Sequence, residues 1–148
     1  MTRICITGGP RTGKTTLAKE VWVDEERARL PGNYVVTQLR HTDDLIEQCA
    51  HLGKDAWSEA SRIASTWLDE PGPWIIEGVA VSRALRKWHE AHPGEPPPVD
   101  RVIYLDLPFE KWTPGQQAMG RGVATVHEND VEPWLREHGM RTEHPHID

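Results

Sequence analysis

The chain has 148 residues, 37% of them hydrophobic, a size and composition that suit one domain with a thin core and a polar periphery. Its formal charge of −6 argues against broad nonspecific binding to nucleic acid but leaves room for a local basic groove. No apolar run reaches the length of a membrane span, the N-terminus reads as entering a strand without a leader, and Cys5 and Cys49 read as reduced packing residues of a cytoplasmic protein.

The first strong signal is Arg3-Ile4-Cys5-Ile6-Thr7, a short buried strand by its apolar and β-branched content. It runs into Gly8-Gly9-Pro10-Arg11-Thr12-Gly13-Lys14-Thr15, which fits G-x-x-x-x-G-K-[ST] at every fixed position, the P-loop pattern. Gly8 and Gly13 allow tight turns that bring backbone N–H groups close to phosphate oxygens. Thr15 and Thr16 open a helix expected over residues 15–30, whose N-terminal dipole favours the same anion. Lys14 can reach the β- and γ-phosphates, and the Thr15 hydroxyl can sit on Mg²⁺. Residues Gly8 to Thr16 therefore predict a site for a nucleoside triphosphate, taken as ATP.

A β-branched run over residues 33–37 reads as the second strand, ended before Arg40-His41-Thr42-Asp43-Asp44. Thr42 or Asp44 could cap the helix that follows, with Asp44 and Glu47 spaced as a capping box. Asp43 and Asp44 also follow the carboxyl end of a strand, where an open α/β sheet binds ligands and an acceptor hydroxyl needs a base. Both uses stand at this point, one residue of the pair serving each. Residues 45–68 carry a helical pattern in two pieces broken near Gly53, and Trp57, Ala60, Ala64 and Trp67 form a packing stripe.

Trp74-Ile75-Ile76-Glu77-Gly78 reads as a buried strand ending in an acid, the position that organises Mg²⁺ in a P-loop fold. A helix over 81–92 puts Arg83, Arg86 and Lys87 along one edge. Arg83 reads as a clamp on an anionic acceptor, whereas Arg86 and Lys87 read as a solvated face balanced by Glu90. The proline-rich 92–98 segment reads as a stiff connector and residues 101–106 as the fourth strand. Residues 109–130, with paired amides and two glycines around Arg121, read as a polar, hinged lid whose arginine meets charge developing on a transferred phosphoryl group. A last helix over 129–138 and a short edge strand over 140–143 complete the expected elements. The histidines, His41, His89 and His127 among them, lack metal-site spacing with the cysteines.

The P-loop, the acids after strand two, Ile-Ile-Glu-Gly, the Tyr-Leu-Asp strand and the arginine-bearing lid together resemble the P-loop nucleoside, nucleotide and polynucleotide kinases. The resemblance implies a three-layer α/β fold, a mostly parallel sheet of about five strands and a short lid, all within a single kinase domain spanning 1–148. It implies ATP and Mg²⁺, with Asp43 or Asp44 as the base, Thr15 and Glu77 on the metal, Lys14 and Arg121 on the transferred group, and Arg40 and Arg83 near the acceptor. The Arg-His-Thr-Asp-Asp turn and Gly-Gln-Gln-Ala-Met-Gly-Arg-Gly-Val-Ala-Thr also look like small phage kinases that phosphorylate 5-hydroxymethyluracil in DNA. That narrower likeness implies DNA held in a local basic groove in a host cytoplasm. A free nucleoside-like acceptor and a nucleotide-hydrolysing ATPase are the alternatives. Two features depart from the family pattern: the acid ending strand three is Glu, and Arg121 is the lone clear lid arginine.

Overall fold

Alternate residues of the first strand are buried on opposite sides, which makes it the middle of a sandwich rather than one face of a two-layer fold. The computed structural model describes residues 2–10, 12–27, 36–105 and 112–145. Its elements are β1 (Arg3–Gly8), α1 (Lys14–Arg27), β2 (Gln38–His41) and α2 (Thr42–Gln48), then a 3₁₀ segment (Ala50–Asp55) and α3 (Ala56–Trp67). There follow β3 (Trp74–Glu77), α4 (Val81–Ala91), β4 (Arg101–Leu105) and α5 (Pro114–Val126), then a π-helical turn (His127–Val131) and α6 (Glu132–Glu137). The strands form a parallel sheet in the order β2-β3-β1-β4. The fold is the three-layer α/β arrangement the sequence predicts.

Ile4, Ile6, Ile75, Ile103 and Leu105 face α1, where Leu17, Ala18, Val21 and Trp22 cover them. Cys5, Ile76 and Val102 face the other way, against Val81, Leu85 and Trp88 of α4 and Trp134 and Leu135 of α6. Strands buried on both faces need such near-continuous apolar runs, and β1, β3 and β4 have them. Cys5 and Cys49 are both buried and unpaired. Among the described residues four strands stand where about five are expected, and residues 140–143 supply a single parallel bridge, Glu143 to Ile103, rather than a strand.

The second strand is corrected, and the expected lid segment gains a helix. The second strand is Gln38–His41; Val36 and Thr37 lie before it, and residues 33–35 fall outside the described residues. As an edge strand β2 is half-exposed and polar, so it lacks the apolar signature that drew attention to its approach. The expected lid over 109–130 contains a regular helix, α5, begun by a reciprocal capping box between Thr113 and Gln116 with Pro114 at its first position. Residues 109–111 and the expected strand end Asp106 lie outside the described residues, as do 28–30 at the end of the expected first helix. The break at Gly53 is present, with φ of 60°.

The first α/β crossover carries the chain from β1 past β3 to β2, and α4 carries it from β3 back across β1 to β4. The connections from β1 and β3 thus leave in opposite directions. That reversal opens a crevice at their carboxyl ends, where open α/β sheets bind ligands. Among the described residues, no helix is long and apolar enough to cross a membrane.

Candidate active site

The crevice is lined by Thr12, Gly13, Lys14, Thr15, Thr16 and Asp43 around a cavity of about 290 Å³. Gly8 and Gly13 both take positive φ, 146° and 90°, as the loop expectation requires. Lys14 is only 5% exposed, and its Nζ donates to Gly9 O at 2.5 Å, with Thr12 Oγ1 at 3.4 Å. Burial lowers the pKa of this ammonium, while the charges of Asp43 and Glu77 pull it back up. Among the described residues no carboxylate is in ion-pair contact with it. A buried cation satisfied only by its own loop is well suited to receive an anion. Pro10 is half-buried beside it, and Arg11 lies outside the described residues.

Glu77 ends β3 and is 1% exposed. Its Oε1 accepts from Thr15 Oγ1 at 3.1 Å and from His41 Nδ1 at 2.5 Å, while its Oε2 is buried with no hydrogen-bond partner. An orphaned carboxylate oxygen beside a hydroxyl is a hard oxygen donor set, so Thr15 and Glu77 fit a magnesium ion whose remaining shell is water and phosphate. Among the described residues no group of three or more His, Cys, Asp or Glu side chains could hold a metal alone. A cation here would therefore depend on ligands brought by the nucleotide.

Asp43 and Asp44 separate by geometry. Both are exposed, but Asp43 lines the cavity and its Oδ1 accepts from Val79 N at 3.3 Å, whereas Asp44 does not line it. The expected capping by Thr42 or Asp44 is absent: the residue before α2 is His41, and no side chain caps the helix. The hydroxyl of Thr42 instead accepts from Ala80 N at 3.4 Å. Short side chains after β2 thus satisfy the backbone after β3 rather than their own helix. Gly78 allows this close approach, since a Cβ there would come 1.9 Å from Thr42 Oγ1, and its φ of 139° suits glycine alone.

The two arginines expected near the acceptor also part. Arg40 is turned to Glu70, 3.0 Å from its carboxylate, and lies over the Trp67 ring at 4.9 Å, so its charge is already used away from the cavity. Arg83 stands 5.1 Å over the Trp57 ring with its Nη2 against Gly122 of α5. Burial, then the neighbouring Arg86, lowers its pKa, and no acid pairs with it among the described residues. Arg86 pairs with Glu90 and Asp130, and Lys87 donates to Ser58, which agrees with reading them as a satisfied face.

Arg121 is exposed on α5, without a hydrogen bond or ion pair among the described residues. The helix lies close to the P-loop at that level. A Cβ on Gly9 would come 3.3 Å from Gly120 Cα, and the Trp112 ring fills the space against both glycines.

Sequence reasoning set His41 aside for want of metal-site spacing and gave it no role at the site. Its signal was position rather than motif: it ends β2 at the register of Glu77 on the neighbouring strand.

No family model and no curated protein matches this chain. Among solved structures it is similar to shikimate kinase from Acinetobacter baumannii in complex with shikimate, at a TM-score of 0.54 and 13% sequence identity. The match covers 100% of this chain and 86% of that one. Together with the sheet order and the loop geometry, this likeness shows that the chain has a three-layer α/β P-loop fold.

Proposed function

We propose that the protein is an ATP-dependent kinase that phosphorylates a hydroxyl of a small, anionic acceptor. The observation that carries this reading is the convergence of Lys14, Thr15 and Asp43 on one cavity, with Glu77 bonded to Thr15 behind it. The P-loop amides and Lys14 hold the triphosphate, and Thr15 and Glu77 hold magnesium, which would supply charge neutralisation on the phosphates. Asp43 takes the proton of the acceptor hydroxyl as its oxygen forms the new bond to phosphorus and the bond to ADP breaks. Arg83 orients the acceptor through its anionic group, and Arg121 offsets charge that develops on the transferred phosphoryl group. Asp44 has no part in this scheme, and neither has Arg40.

The larger acceptor, 5-hydroxymethyluracil in phage DNA, draws less support. A DNA groove needs unpaired cations and stacking surfaces. Arg86 and Lys87 are engaged within the protein, and none of the seven tryptophans is exposed. The test is incubation with γ-labelled ATP and either free nucleosides, small hydroxyl compounds bearing a carboxylate or phosphate, or hydroxymethyluracil-containing DNA, across a salt series. Label on a small anionic compound is expected. Salt-sensitive label on DNA alone would move the acceptor to DNA, and ADP released without any acceptor would make the protein an ATPase.

A further inference from the structure

The carboxyl ends of β2 and β3 are laced by three consecutive side chains. His41 reaches Glu77, Thr42 reaches the N–H of Ala80, and Asp43 reaches the N–H of Val79. The last contact holds the candidate base, and the second fixes the residue before it. The first holds the candidate metal carboxylate, and its chemistry is unusual for the site.

Glu77 has two donors on one oxygen and none on the other. One donor, Thr15, belongs to the loop that would hold nucleotide and cation. His41 is the other, and it comes from a strand that takes no part in the P-loop. Since a carboxylate only accepts, Nδ1 carries the proton and donates it. At 2.5 Å this is the shortest bond to Glu77, and parallel register sets it: His41 lies opposite Glu77 on β3.

We propose that His41 is a positioning residue for the metal: it fixes the Glu77 carboxylate so that Oε2 stays free for the cation's shell. The inference rests on the kinase reading above. Without His41, the carboxylate would hang from the Thr15 hydroxyl alone and could rotate to give that hydroxyl either oxygen. Outer partners that orient a metal-binding group in this way typically contribute 10–100-fold in metal affinity.

The experiment is calorimetric titration of ATP into the full chain with and without magnesium, for the wild type, His41→Ala and His41→Asn. The asparagine amide puts an N–H at the same branch of the side chain as Nδ1. The expected result is that His41→Ala loses about 10-fold or more of the magnesium-dependent gain in ATP affinity while its magnesium-free affinity stays put, and that His41→Asn recovers most of the gain. His41 is 27% exposed, and thermal melting of each variant checks that the fold survives. A full magnesium gain in His41→Ala, or an equal loss in both variants, overturns the positioning role and leaves the kinase reading intact. A wild type that binds ATP with no magnesium gain overturns this inference, and a wild type that binds no ATP overturns both.

Discussion

Two polar clusters adjoin β1, one at Glu77 and Lys14 and the other running from Thr7 to Glu132, and they differ in what they leave unsatisfied. Toward the crevice, Glu77 keeps an oxygen without a partner and Lys14 has only its own loop for company. Away from it, a chain of bonds runs without a gap from Thr7 to Glu132. Thr142 donates to Glu132, His127 Nε2 donates to Thr142, Ser82 donates to His127 Nδ1 at 3.0 Å, and Thr7 and Ser82 are 2.7 Å apart. The Glu132 carboxylate can only accept, so it fixes the direction of every donor behind it, back to the residue before Gly8. Every named member of this second chain has a partner. The lesson concerns how to read buried polarity: a saturated network stiffens a fold, whereas leftover bonding capacity beside a cavity marks a place for a ligand.

Breaking the open cluster should remove activity and spare the fold. The largest effect is expected at Asp43. Loss of a general base typically removes 10²–10⁴-fold in rate, so Asp43→Asn should fall by about that factor, while Asp44→Asn stays within about threefold. Steady-state assays of both variants with the true acceptor check it, and equal effects would show that cavity position does not identify the base. Lys14→Ala should follow, losing about 10²–10³-fold in kcat, the scale of one preorganised contact to transition-state charge, with an unchanged melting temperature.

Breaking the closed cluster should do the reverse. His127→Leu leaves the Ser82 and Thr142 hydroxyls short of a partner, and about 1–3 kcal/mol of stability should be lost in chemical denaturation while turnover per folded molecule holds. The smallest effect is that of pH on the intact protein. Burial holds His127 at a pKa of about 4, against 6.5 for an unperturbed histidine. The unfolded chain therefore takes up the proton first. The stability that neutral His127 contributes should be complete above about pH 6.5 and decline as the pH falls toward about 4. The slope of denaturation midpoints over that window should be shallower in His127→Leu than in the wild type.

Much of this division was legible in the sequence, and the parts that were not have physical causes. The P-loop is local, since one strand, one loop and one helix start carry every contact it needs, and its residues stand in one short stretch. Glu77 was legible through its apolar strand. The choice between Asp43 and Asp44 was not, because it depends on which side chain meets the amide of Val79, thirty-six positions away. β2 was misplaced because an edge strand need not be apolar, and Gln38-Leu39-Arg40-His41 shows no such pattern. α5 was hidden because small residues make its closest packing: Gly120 rests against Trp112 where a large apolar side chain would have given the periodicity away. Thr113, Pro114 and Gln116 did carry a start signal for that helix. Arg40 was placed near the acceptor by the family resemblance, yet its partners are Glu70 and the Trp67 ring, contacts far along the chain that no local pattern announces.

The most direct test of the open cluster as a phosphoryl-transfer site is the ratio of ADP formed to acceptor phosphorylated, measured in one reaction as the acceptor is titrated. The account predicts that ADP formation rises from near zero with added acceptor and matches the phosphorylated product one to one. ADP that forms at the same rate with and without acceptor, in excess of any phosphorylated product, would contradict it.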